Sequence, residues 1–101
     1  MTSFFDSSAS IGARLLELNQ TVSVAESSTG GLIAANLLCV AGASAFFIGG
    51  SVVYSLRSRR EFLDFDRARV QHLQPLSEEM VLEFARAARA KLDTTCLLST
   101  S

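Results

Sequence analysis

The sequence predicts an α/β layered domain, and three observations carry that reading. Helical and strand-like stretches alternate along a short chain, the strand-like stretches are rich in β-branched residues, and a polar, Gly-rich turn joins the first of them to an apolar helix. A length of 101 residues bounds the chain to one domain over 1–101, long enough to bury a core. Hydrophobic residues at 49% against charged ones at 19% place it among globular rather than disordered chains.

Ser8 to Asn19 reads as an amphipathic helix, with Ile11, Leu15, Leu16 and Leu18 near helical spacing and Arg14 and Glu17 elsewhere. TVSVAE, 21–26, alternates and reads as a strand. LIAANLLCV then predicts a helix that AGAS, 41–44, ends. FFIGGSVVYS, 46–55, follows as a core strand whose glycines allow close approach or a bulge. LRSRREFLDFD, 56–66, reads as a short charged helix or a loop. Pro75 and Ser77 open the clearest helix, SEEMVLEFARAARAKL. There Ser77 is the cap, Glu78 and Glu79 suit the positive end of the dipole, and Arg86, Arg89 and Lys91 suit the other. Val81, Phe84, Ala85, Ala88 and Leu92 form its apolar stripe, and TTCLLSTS closes the chain as a third strand.

Charge and cysteine content exclude several classes. A formal net charge of -1 lacks the basic excess with which a nucleic-acid binder neutralises phosphates. Cys39 and Cys96 are too few and too far apart for a disulfide framework or a metal site, and Cys39, in an apolar run, reads as a buried small hydrophobe. No charged residue occurs from Ser27 to Leu56, enough chain to cross a bilayer. Glycines at 30, 31, 42, 49 and 50 and Asn36 interrupt it, so it reads as helix, turn and strand instead. The N-terminus has no basic start followed by an apolar block, and the expected location is the cytoplasm.

Two stretches could carry chemistry. AESSTGG, 25–31, lies between a strand and a helix, where several backbone N–H groups converge at a positive helix end. A hydroxyl there could bind phosphate or attack a carbonyl whose oxyanion the N–H groups hold. The plainer reading makes Ser27 to Thr29 the helix cap. Glu26 either orients this loop or only flanks it. In YSLRSRR, 54–60, Tyr54 ends a strand and could project into a cleft, while Arg57, Arg59 and Arg60 could hold a phosphate. They could equally form a solvated face balanced by Glu61, Asp64 and Asp66. His72, the one histidine, lacks an evident partner and reads as a surface residue.

AESSTGGLIAANL, then AGASAFFIGGSVVYS, then LSEEMVLEFARAARAKL together resemble the C-terminal domain of the competence/damage-inducible protein CinA, the nicotinamide-nucleotide amidohydrolase family. That family's pattern runs AESCTGG, then PGSS and a strand ending in YSNEAK, then SEE opening a helix. The resemblance covers the chain from about residue 10 to its end. It implies a cytosolic α/β domain that hydrolyses nicotinamide mononucleotide to nicotinate mononucleotide and ammonia, with no metal and no cofactor. It makes Ser27 the nucleophile and Ser28, Thr29, Gly30, Gly31, Tyr54 and Arg59 the substrate-binding set, Ser28 standing where the family has cysteine.

The chain departs from the pattern in two places. Arg59 occupies the position of the family's lysine, which serves as the base. Burial can bring a lysine near neutrality, whereas arginine does not deprotonate in proteins, so Arg59 suits a phosphate or an oxyanion better than proton abstraction. The Gly- and Pro-rich segment and further strands that follow in the family have no counterpart after STS. The expectation is therefore a shortened member whose last strand has an open edge and which forms a homo-oligomer. Three readings stay open: an amidohydrolase, a non-catalytic nucleotide- or phosphate-binding or assembly relative, and a self-associating fragment.

Overall fold

The strand Val22–Glu26 (β1) is the axis of the fold, with every residue buried. A computed structural model describes residues 4–64, 68, 73 and 77–99. Before β1 runs helix α1 (Phe4–Leu18), and after it α2 (Leu32–Leu38), a 3-10 turn at Ala43–Ala45 and strand β2 (Phe47–Val52). Helices α3 (Leu56–Leu63) and α4 (Glu78–Leu92) and strand β3 (Cys96–Ser99) complete the described elements. Asp66, His72 and Pro75 lie outside the described residues.

The three strands form one parallel sheet in the order β2-β1-β3. Alternation along β1 sends Val22 and Val24 to one face and Ser23 and Ala25 to the other. Val22 and Val24 pack with Leu15 of α1, Leu37 of α2, Ala43 and Phe46. A side chain at Gly12 would meet the Phe46 ring and Val40 at 3.0 Å, so a glycine lets α1 sit down on this core. On the opposite face Ala25 packs with Val53, Leu63 of α3, and Phe84 and Ala88 of α4. Helices thus cover both faces, the layered α/β arrangement expected. The buried polar pair on that face is satisfied: Thr94 Oγ1 donates to Cys96 O at 2.8 Å, which leaves Ser23 as donor to Thr94 Oγ1, also at 2.8 Å.

Three sequence expectations need correction. The first helix begins at Phe4, ahead of Ser8. The stretch 46–55 is strand only over Phe47–Val52, and it is an edge strand whose alternate residues face solvent. Its apolar composition suggested a core strand, but burial depends on which strands flank it, and β1 takes the centre. Cys39 is exposed, because α2 turns it away from the core that Leu37 fills. The uncharged run is helix, turn and strand, and among the described residues no helix is long and apolar enough to cross a membrane.

Candidate functional site

Where β1 ends, its chain departs toward β2 on one side while β3 lies on the other. Such a divergence at the carboxyl ends of parallel strands is where α/β sheets commonly place ligands. Glu26 and Ser27 stand there. Glu26 shares its face of the strand with Val24 and is 1% exposed. Its carboxylate accepts hydrogen bonds from Thr29 Oγ1 at 2.8 Å, Ile33 N at 2.9 Å and Ala34 N at 3.0 Å. The helix needs this. Gly31, at its N-cap position, has no side chain to offer, and the Ile33 and Ala34 N–H groups of the first turn of α2 would otherwise lack acceptors. A carboxylate at the positive end of the helix is favourable as well.

The turn between them is tight. Gly30 N donates to Ser27 O at 3.1 Å, and Leu32 N to Thr29 O at 3.1 Å. Gly30 at φ 63° and Gly31 at φ 101° both occupy the left-handed region, which side chains with a Cβ resist. Ser27 is buried at 4% exposure, while Ser28 next to it faces solvent. Among the described residues the N–H groups of Ser28 and Gly31 have no acceptor.

The second wall comes from α3. Ser55 caps that helix, accepting from Ser58 N at 3.1 Å, and the first turn brings Arg59 back over the sheet edge. Arg59 Nε donates to Val53 O at 3.0 Å and Nη2 to Tyr54 O at 3.3 Å, and Nη2 also lies 3.5 Å from Ser27 Oγ. The Phe84 ring of α4 lies beneath, with the guanidinium carbon 4.7 Å from its centroid. Burial lowers the Arg59 pKa from its ordinary value, but arginine starts so high that it stays a cation.

The structure therefore brings Ser27, Thr29, Gly30, Gly31 and Arg59 together, and separates others. Tyr54 is 73% exposed and contributes its carbonyl, not its hydroxyl, to this network. Arg57 and Arg60 are exposed, and Arg60 pairs with Glu61, so the basic cluster reduces to one arginine at the serine. Lys91 pairs with Asp64. Ser27 to Thr29 are not the helix cap: no side chain at the N-cap position bonds the helix, and Glu26 does so from the strand. Phe84 is the residue that sequence reasoning did not assign to the site, and of the two readings left open for Glu26 the structure shows the one in which it orients the loop. A helix preceded by glycine, with no cap of its own and an acid at the end of the preceding strand, was the available signal for Glu26.

Chemically, the turn can donate N–H groups and Arg59 can hold an oxygen anion. The α2 N-terminus, already filled by Glu26, is not an open phosphate cradle. No base touches Ser27 among the described residues, since the Glu26 carboxylate is engaged by three donors. Nor do three or more metal-ligating side chains lie together among them.

Against known families, residues 5–101 match the CinA C-terminal domain. The chain belongs to that family. It is 38% identical over 97 residues to a CinA-like protein of Parasynechococcus marenigrum, covering 95% of this chain and 23% of the relative. It is 41% identical over 91 residues to one of Shewanella sp. (strain W3-18-1), covering 90% and 22%. Among solved structures, a competence-damaged protein (CinA) superfamily protein from Escherichia coli superposes with a TM-score of 0.84 at 22% identity, over 92% of this chain and 54% of that one. The competence/damage inducible protein CihA from Agrobacterium tumefaciens gives 0.77 at 29% identity, over 93% and 56%. The chain thus spans under a quarter of these CinA-like relatives and just over half of the two solved chains.

Proposed function

We propose that this chain binds a pyridine mononucleotide of the nicotinamide mononucleotide kind in the crevice at Ser27, and that it does not hydrolyse it. The family resemblance supplies the ligand class. One observation carries the rest: the guanidinium of Arg59 is 3.5 Å from Ser27 Oγ, where an acyl-transfer site needs a proton acceptor. A guanidinium donates and does not accept, so it leaves the serine un-ionised and holds an anionic or carbonyl oxygen of the ligand instead. The Ser28 and Gly31 N–H groups provide further donors at the same turn.

A second reading is amide hydrolysis with Ser27 as nucleophile. What favours it is the position of Ser27, buried at the carboxyl end of the central strand and followed by a turn in which the Ser28 and Gly31 N–H groups have no acceptor among the described residues. In that reaction Ser27 Oγ bonds to the amide carbon, the Oγ proton goes to a base, ammonia leaves, and water releases nicotinate mononucleotide from the acyl-serine. Two measurements on the purified chain separate the readings. Binding predicts a rise in melting temperature with nicotinamide mononucleotide, reduced by Arg59→Ala and retained in Ser27→Ala. Hydrolysis predicts ammonia release that Ser27→Ala abolishes. Turnover dependent on Ser27 would overturn the first reading, and absence of any ligand response would overturn both.

A further inference from the structure

We infer that the outer edge of β2, with the solvent-facing arc of α2, is where a second copy of this chain docks, the two edge strands pairing antiparallel about a two-fold axis. Among the described residues β2 has a partner strand on one side only. An open edge exposes a row of backbone donors and acceptors, and proteins ordinarily protect it with charge or proline. FIGGSV has neither, and Ile48 and Val52 are 50% and 42% exposed along it.

The helix beside this edge is equally bare. Leu32 and Leu38 are 52% and 56% exposed, and Ala35 and Cys39 share their side of α2. A helix apolar on its outer as well as its inner face is one that expects cover. By contrast, α1 exposes Arg14 and Glu17, α3 Arg60 and Glu61, and α4 Arg86 and Lys91. Every charge in the chain lies outside Ser27 to Leu56.

That charge distribution selects the partner. A charged surface laid on this face would lose its hydration with no counter-charge to meet it. The fitting partner is an uncharged, strand-edged surface, which is what a second copy presents. Geometry adds a constraint: two β2 edges related by a two-fold axis normal to the sheet run antiparallel and close into a dimer. With the axis normal to the sheet, both α2 helices stay on one face, because α2 lies over the Val24 face of its own sheet. The register shift opposite Val22 and Ser23 places Ile48 in a bulge, so the new ladder runs over Gly49–Val52.

Sedimentation equilibrium of the full chain over a wide concentration range tests this, beside Val52→Lys, Leu38→Glu and, as a control, Leu82→Lys, which adds a charge at an exposed leucine of α4. The expected result is a dimer whose dissociation constant rises about tenfold or more in Val52→Lys and in Leu38→Glu and is unchanged in Leu82→Lys. Amide exchange at Gly49–Val52 should slow as wild-type concentration rises. Circular dichroism identifies a variant that has lost its fold, and the remaining interface variant then decides. A monomer at every concentration, a dimer indifferent to both interface variants, equal weakening by Leu82→Lys, or an open-ended series of larger species would overturn the proposal.

Discussion

Ser27 lies between two ions of opposite sign that serve different ends. On the α2 side the Glu26 carboxylate is sealed from solvent and engaged by two backbone amides and a hydroxyl. On the α3 side the Arg59 guanidinium bonds two carbonyls, lies over a ring and reaches the serine hydroxyl with an N–H. The acid belongs to the scaffold: it builds the turn that presents the serine. The arginine ties the start of α3 to the serine, with Nε and Nη2 engaged and Nη1 without a bond among the described residues. A charge next to a candidate nucleophile is therefore not by itself chemistry, and what the charge already bonds decides its use.

The widest break in this comparison is Glu26→Ala. It removes the acceptor of Ile33 N, Ala34 N and Thr29 Oγ1 together and leaves a void in a buried site. The expected loss is about 3 kcal/mol, seen as a fall in melting temperature of roughly 10–20 °C. Glu26→Gln should recover little of it, because an amide nitrogen would then face a backbone N–H. A loss below about 1 kcal/mol would mean that solvent reaches the start of α2 and that the carboxylate is not its cap.

A smaller effect on the same side is expected from Gly31→Ala. The new Cβ finds ordinary contact, 3.5 Å from Val52 Cγ2, so the cost is conformational and set by the φ of 101°. About 1–2 kcal/mol is expected in chemical denaturation, with nucleotide-induced stabilisation weakened as the turn distorts. Stability unchanged with ligand response intact would show that the turn relaxes without the left-handed geometry.

Away from Ser27, Ser77→Ala sharpens the contrast between a local and a distant cap. Ser77 Oγ accepts from Met80 N at 3.2 Å at the start of α4, and its loss should cost about 1 kcal/mol in chemical denaturation. This difference also explains what could be read from the chain. The Ser77 cap is a contact three residues long followed by two acids, so pattern alone finds it. The contacts of Glu26 reach seven and eight residues ahead, across a turn whose shape two glycines set, so the sequence marks an acid before an uncapped helix but not the N–H groups it meets. The strand β1 was legible from its alternation, whereas the edge position of β2 and the exposure of Cys39 depend on strand order, which composition does not carry. The approach of Arg59 to Ser27 spans 32 residues and was suggested only by the family position it occupies.

The smallest expected effect is on the α3 side, and it decides whether Arg59 can act as a base. Burial lowers its pKa, so folding disfavours the charged form relative to the unfolded chain. The sign of the linkage follows: the penalty is present at every pH below the lowered value and fades only as pH rises through it toward the higher unfolded value, both far above neutrality. Between pH 6 and 9 both states keep the proton, and the group contributes no slope. The difference in melting temperature between the wild-type chain and Arg59→Met should therefore be constant across that range. An offset that changes with pH in the Arg59→Met comparison would mean that Arg59 exchanges a proton near neutrality, and the serine beside it would then have its base.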